Sequence, residues 1–558
     1  MKVAVVGSGV SGLAATWLLN EYSDHEVHLY ESDSRPGGHA NTVKYYPPSK
    51  TEGVDVDTGF IVCNPPTYPN FLRFAGLHAP KGPNDTGVKI VPTEMTFSVS
   101  RNEGEFEWAG KNPLTVFCQP RRLFDPQMWR MLYDVFRFNA CSLRVLSQDS
   151  SSEMSIGEYL TKEKYSSAFR DNYLIPMTAA IWSTPPGKCF LDFPARTLIQ
   201  FMYNHHLLQI IGKPSWLTIE GGSHNYVNKI LSKLPETQLH LSTPIVSATT
   251  YQKGDSSRQK IVLRTDGGDE IEYDHVIFAC HSDTAFEILK AGNITPEEAR
   301  ILGMFEWNKN EVVLHSDPTV NFPDQHLQFT TSDSVYQLMP RSRMAWSCWN
   351  YLTTTTNTSD KNAGGEVDRV SLTYGMNDLQ HISKERWGPV LITLNPPFHP
   401  ASNKTFGWWK YDHPVLDGKA VQAQNEMHKI QNKRSITFAG AYLKYGFHED
   451  GFTSGLLAAC AIDEEDGEFP TFSPESGSSG THSMTIPVKA KTVRPPFDIQ
   501  YADHHLMVRR NGLGGFRGLA VTMFDLLEFS GLRALVGLAG SLVLYACRFL
   551  LGLQNLSS

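Results

Sequence analysis

The chain has 558 residues, 41% hydrophobic and 19% charged, which suits a globular protein of two or three domains and excludes wholesale disorder. A formal net charge of −8 argues against nucleic acid as a partner. Eight cysteines lie scattered without a CxxC pair, so neither a disulfide framework nor a zinc site is expected, and the set fits a reducing, cytosol-facing compartment.

Met1 to Gly38 sets the frame for the rest. Lys2–Val6 predicts a buried strand, Gly7-Ser8-Gly9-Val10-Ser11-Gly12 a turn, Leu13–Glu21 a helix, and Val27–Tyr30 a second strand ending on Glu31. This is a βαβ dinucleotide fingerprint. Gly7 permits the tight turn, Gly9 removes a side chain where a pyrophosphate approaches, and Gly12 lets the helix pack close to the strands. The helix start, with Ser11, offers N–H groups to phosphates. Glu31, nineteen residues after Gly12 and followed by Ser32, stands where an acid accepts hydrogen bonds from a ribose. The strand begins at residue 2, so no cleavable leader is expected before it.

Ser34-Arg35-Pro36-Gly37-Gly38-His39 follows. A glycine pair just after the ribose acid resembles flavoproteins of the amine oxidase and carotenoid desaturase superfamily. The resemblance implies FAD rather than NAD, with Gly37 and Gly38 letting the chain run close to the flavin diphosphate. The next residue there is often Arg; here it is His39. Asp57-Thr58-Gly59 resembles the superfamily segment that passes beneath the isoalloxazine, and Thr67–Leu72 starts a predicted helix.

Met95–Ser100 and Phe106–Gly110 predict a hairpin in an inserted substrate domain. Helical spacing follows from Pro126 to Leu146. Trp182, Tyr203, His205 and His206 are candidate pocket aromatics, each more easily explained as core or surface, and the histidine pair has no partner at metal-ligand spacing. Gly221-Gly222-Ser223 before a helix at Tyr226–Leu234 resembles the return to the cofactor domain. Strands are predicted at 238–241 and 244–248, a hairpin at 261–273, a buried parallel strand at 275–280 and a helix at 282–289. The Val246 region resembles the strand whose backbone contacts adenine. A second β-rich visit spans about 301–399, with strands at 327–329, 345–349 and 371–374 and a polar loop over 353–368.

Ser435–Gly440 predicts a strand reaching a glycine, then Gly446-Phe447-His448-Glu449-Asp450-Gly451 and a small-residue helix from Thr453 to Cys460. This resembles the closing part of such a flavin domain, with Gly446, Glu449 and Asp450 as cofactor contacts. Ala441 stands where the superfamily often has a ribityl-binding acid. Together with Ala179–Ser183, Tyr226-Val227 and Thr393–Pro397, these motifs resemble the amine-oxidase-like FAD/NAD(P)-binding proteins and the N-terminal half of plant cyclopropane fatty acid synthases, over roughly 1–462. The resemblance implies an α/β fold: a Rossmann-type FAD-binding domain (1–75, 216–300, 431–462) with an interleaved α+β substrate domain (76–215, 301–430). Noncovalent FAD is expected.

Residues 463–488 read as a linker by composition, and 489–558 as a basic stretch with a hydrophobic helix near 532–553. That helix is expected to span a membrane, to lie on it, or to dock on the protein, leaving the chain soluble. The expected function is an FAD-dependent oxidoreductase taking hydride from an apolar, lipid or amine small molecule, with His448 and Glu449 as candidates for proton transfer. A flavin-binding accessory partner of a lipid-modifying enzyme and a redox-neutral flavin isomerase are the alternatives.

Overall fold

The computed structural model describes residues 1–47, 50–82, 85–102, 104–147, 154–182, 191, 193–209, 214–254, 258–318, 338–355, 367–462, 492–500 and 516–550. Contacts divide the chain into two compact units, each assembled from three stretches. Unit 1 is Met1–Thr93, Ser215–Lys309 and Tyr411–His505; unit 2 is Glu94–Pro214, Asn310–Lys410 and Leu506–Ser558.

Unit 1 is built on a five-stranded parallel sheet. In chain order its parts are β1 (Lys2–Val6), α1 (Val10–Tyr22), β2 (Glu26–Tyr30), β3 (Leu239–His240), β4 (His275–Phe278) and β5 (Ile436–Phe438), and the strand order is β5-β4-β1-β2-β3. The unbroken apolar run of β1 fits a strand covered on both faces. Its two neighbours, β2 and β4, come from opposite directions in the strand order. The carboxyl end of β1 is therefore the switch point where α/β sheets bind ligands. A three-stranded antiparallel sheet, Ile245–Gln252, Gln259–Thr265 and Glu270–Tyr273, completes the predicted hairpin.

Helices α2 (Pro69–Leu77) and α3 (His448–Ala461) flank α1. The predicted start of α3 at Thr453 is wrong: the helix begins at His448. Asp450 Oδ2 accepts the Phe447 N–H at 2.9 Å and closes the first turn. Gly451 and Gly455 sit inside the helix because a Cβ there would strike the Val10 side chain and the Ser11 carbonyl of α1.

The core of unit 1 joins Trp17, Phe71, Phe74 and Phe452 to a late strap, residues 492–500. Val493 and Ile499 are buried in that core, and the Phe497 ring stacks on Trp17 at 6.0 Å. The strap is tied down by Arg494 N–H to Tyr22 O (3.0 Å) and by a reciprocal pair, Gln500 N–H to Asn70 Oδ1 (2.9 Å) and Asn70 Nδ2 to Gln500 O (2.7 Å).

Unit 2 carries a seven-stranded sheet in the order Thr405–Val415, Glu306–His315, Leu391–Leu394, Val367–Gly375, Trp349–Thr355, Phe97–Arg101, Phe106–Ala109. The predicted strand at 345–349 is corrected: Arg343–Ala345 is a 3₁₀ turn and the strand starts at Trp349. The expected strand at 327–329, the middle of the 353–368 loop and the linker lie outside the described residues.

The tail forms α4 (Phe516–Phe529) and α5 (Leu532–Leu550). They meet at a 75° bend with Gly531 at φ +72°. Among the described residues no single helix is long and apolar enough to cross a membrane, so the transmembrane helix expected near 532–553 is not found. The physical reason is length: uncharged sequence runs only from Ala534 to Cys547, short of the roughly 20 residues a span requires.

Candidate functional site

The glycine turn between β1 and α1 is folded as its sequence demands. Gly7 has φ +104°, and a Cβ there would meet the Ala279 carbonyl, while one on Gly12 would meet the Gly7 carbonyl. Gly9 differs. Its φ of −63° suits any residue, and an added Cβ would meet nothing within 4 Å. No protein contact requires glycine at this position; the open space lies where the first-turn N–H groups of α1 lack helical partners. A pyrophosphate fits that combination of bare backbone, unpaired donors and helix dipole.

The other predicted contacts converge on the same turn. Glu31 Oε2 accepts from Ser8 N–H (2.9 Å) and Ser8 Oγ (2.5 Å), and Oε1 accepts from Asp33 N–H (2.9 Å) and Ser32 Oγ (3.2 Å). Gly37 N–H donates to Ser8 O at 3.0 Å. Gly38, at φ +55°, brings its Cα face against the Gly9 Cα. Ser11 is buried at the start of α1. Val246 lies at the register shift where Ile245–Gln252 begins, three residues after Thr243, whose N–H donates to Glu31 O at 2.8 Å. Its side chain is exposed.

His448, Glu449, Asp450 and Gly446 are placed at the head of α3. The His448 ring stacks on Phe60 (3.7 Å between centroids, 5° apart), and its Nε2 shares a hydrogen bond with Tyr226 OH at 2.8 Å. Burial pushes this imidazole down to about 3. Glu449 is 3% exposed and has both oxygens engaged: Oε1 by Asn70 N–H (2.8 Å) and Thr453 Oγ1 (3.2 Å), Oε2 by Phe71 N–H (3.0 Å). It therefore caps α2, and burial raises its carboxyl to about 8. Gly446, at φ +87°, donates its N–H to Ala441 O at 3.1 Å.

Beside the Gly37-Gly38 pair is a cluster that the site prediction missed. The His39 ring lies 5.3 Å from His413, 6.4 Å from His281 and 4.9 Å from Tyr411, while His281 stacks on Trp307 at 3.8 Å. Tyr411 OH is fixed by Asn41 Nδ2 (2.9 Å) and Thr58 Oγ1 (2.6 Å), and His39 O accepts the Phe60 N–H at 2.8 Å. The segment Asp57–Phe60 is thus bound to His39 and Asn41, just after the glycine pair. Burial holds His39 well below the ordinary imidazole range, lowers His281, and brings His413 down to about 4; the neighbouring imidazoles add to this at His39 and His413. All three are neutral near pH 7. His39 alone carried a sequence signal, its place after the glycine pair; His281 comes from the start of the helix Ser282–Lys290 and His413 from the strand Thr405–Val415.

Asp57 forms a second buried feature. It accepts Thr42 Oγ1 (2.5 Å), Ser223 N–H (2.8 Å) and Ser223 Oγ (2.7 Å), and burial raises it to about 6. This ties Gly221-Gly222-Ser223 to the flavin-type segment. In unit 2, Trp182 packs on Phe201 (4.6 Å) and Phe201 on His205 (4.0 Å), so these aromatics serve local packing; the Arg517 guanidinium lies 5.9 Å from the Tyr203 ring. Among the described residues no group of three His, Cys, Asp or Glu is arranged to hold a metal.

Comparison with known proteins agrees with this geometry. The family described as flavin containing amine oxidoreductase matches residues 10–463. Among solved structures, a CLA-producing fatty acid isomerase from P. acnes superposes with a TM-score of 0.53 at 14% identity, covering 81% of this chain and 96% of its own. A reduced UDP-galactopyranose mutase gives 0.52 at 16%, covering 83% and 93%. Cyclohexylamine oxidase from Brevibacterium oxydans IH-35A gives 0.52 at 13%, covering 83% and 98%. At such identities the likeness concerns the fold. No curated protein matches in sequence.

Proposed function

The chain belongs to the flavin-containing amine oxidoreductases, with FAD as its cofactor, and on that footing we propose that it oxidises an apolar substrate, a lipid or an amine met in its neutral form. The observation that carries the substrate class is the neutral cluster of His39, His281 and His413 with Tyr411 and Trp307 beside the cofactor-type glycine pair. Desolvation keeps those imidazoles uncharged, and the same desolvation disfavours a cationic substrate. Bound noncovalently, FAD supplies the hydride acceptor. The chain holds the pyrophosphate at Gly9 and Ser11, the ribose at Glu31 and the diphosphate flank at Gly37 and Gly38. His39, a neutral imidazole in this cluster, takes the proton that the substrate loses with its hydride. Glu449 and His448 hold α2 and the Phe60–Tyr226 wall in place, and proton transfer passes from them to the cluster. We also read the tail, 532–553, as a membrane-associating segment.

A redox-neutral isomerisation is the second reading, because an imidazole that has taken a proton can return it to a different carbon. Anaerobic mixing of the FAD-loaded protein with unsaturated fatty acids, phospholipids and primary amines separates the two. Bleaching of the flavin band with stoichiometric substrate loss is the expected result. Product without bleaching gives the isomerase, and no response across the panel, with or without a lipid-modifying enzyme, leaves an accessory partner.

A further inference from the structure

The tail helices carry more exposed apolar surface than a docked helix of a soluble protein does. Helix α5 lies against the Pro126–Cys141 helix and the turn Pro120–Phe124 of its own unit. The side chains partly covered on α5 include Arg533, Ser541 and Cys547. Leu544 is partly covered with them, whereas Leu535, Val536, Leu538, Leu542, Val543, Tyr545, Phe549 and Leu550 are each more than half exposed. A helix docked for its own stability buries most of its apolar side chains; this one leaves most of them exposed while Arg533 is partly covered.

Helix α4 serves as the mount. It buries Val521 and Phe524 against Ala140 and Cys141, pairs Asp525 with Arg144, and sets Glu528 between Tyr133 (3.0 Å) and Arg533 (2.8 Å). Leu519, Met523, Leu526 and Phe529 on the same helix are exposed, Phe529 to 96%. The elements beneath α5 continue the same chemistry: Leu123, Trp129 and Phe136 are exposed. Between residues 489 and 517 the sequence has six Lys or Arg against two Asp. An apolar face preceded in the sequence by a cationic stretch matches an anionic lipid surface.

We propose that α4, α5 and the Pro120–Cys141 segment of unit 2 form one docking face for an anionic bilayer, with α5 lying in the plane of the interface. A spanning arrangement would require α5 to leave the unit, breaking the contacts that Arg533 and Glu528 make. In the plane, its length of about 28 Å at 1.5 Å per residue adds area to a surface already built into unit 2. This rests on the reading of the tail as membrane-associating and specifies both its geometry and the part played by unit 2.

The test is flotation of the full-length FAD-loaded protein with phosphatidylcholine vesicles, with and without phosphatidylserine. The wild type should float with the anionic vesicles and be released by salt. Leu542→Glu on α5 and Trp129→Glu on unit 2 should each weaken flotation by about tenfold, with melting temperature and flavin content unchanged. If the wild type floats and only Leu542→Glu weakens it, the docking face of unit 2 is overturned while the membrane reading stands. If the wild type floats with neither vesicle, both fall. A fluorophore on Val536→Cys or on Phe549→Cys, in a Cys547→Ser background, should be quenched at one shallow depth by spin-labelled lipids; graded depths would overturn the in-plane arrangement. A concentration-dependent dimer abolished by Leu542→Glu, without flotation, would assign the face to a second copy instead.

Discussion

Glu449 separates a chemical from a holding role. Its folded carboxyl is raised to about 8, against an ordinary value of 4.5, by burial. Between those values the folded state binds a proton that the unfolded state has lost, so this group's contribution to stability falls by about 1.4 kcal/mol per pH unit as pH rises from 4.5 to 8, and levels off above. Glu449→Gln should therefore gain on the wild type in melting temperature between pH 5 and pH 8 while retaining flavin. Glu449→Ala, which leaves the Asn70 and Phe71 N–H groups without an acceptor, should cost about 2–3 kcal/mol near pH 5 and less as pH rises toward 8. Loss of turnover in Glu449→Gln with unchanged folding would restore it as an acid/base group. The imidazole cluster has the opposite sign. His413 is depressed to about 4, so its contribution is present above pH 6.5 and is lost as pH falls toward 4. His413→Asn should lessen acid sensitivity, read as flavin release on titration from pH 7 to pH 4.5.

At the scale of elements, two glycines of similar sequence context have different tasks. Gly455→Val drives a side chain into the Ser11 carbonyl and should prevent α3 from packing on α1, giving insoluble or molten protein. Gly9→Ala meets nothing in the protein, so the apoprotein should melt as the wild type does while affinity for FAD falls by about tenfold or more, measured by fluorescence titration. These cases also show what was legible in the sequence. The β1–α1–β2 unit could be read because apolar periodicity, glycine spacing and the acid at Glu31 are local signals. The head of α3 was misread because Gly446 and Gly451 look like loop punctuation. In the fold Gly451 is a helical residue, kept bare by the approach of α1, and nothing local announces that neighbour. The imidazole cluster was hidden for the same reason: His39, His281 and His413 come from three stretches of chain that only the tertiary fold brings together.

For the molecule as a whole, the division of the chain decides where it can be shortened. Ending it at 462 removes Val493, Phe497 and Ile499 from the Trp17 core. At about 1.5–3 kcal/mol for each buried apolar side chain, this is a loss of several kcal/mol. Such a protein should melt well below the full-length chain and retain little flavin. Ending it at 505 keeps the strap and should leave unit 1 and its flavin intact while abolishing vesicle flotation. The described cysteines are free thiols, most of them buried.

The strap also gives the protein an unusual relation between covalent and physical integrity. A specific protease site inserted between residues 462 and 492 would, on cleavage, yield two polypeptides. The second would still hold its place through the Asn70–Gln500 pair, the Tyr22 carbonyl and the Trp17–Phe497 stack. Denaturing electrophoresis should show two fragments while size exclusion shows one yellow species. By the same logic, a ribosome must synthesise the chain through Gln500 before the core around the first helix can close. The amino-terminal fingerprint, translated first, is thus among the last parts to be secured.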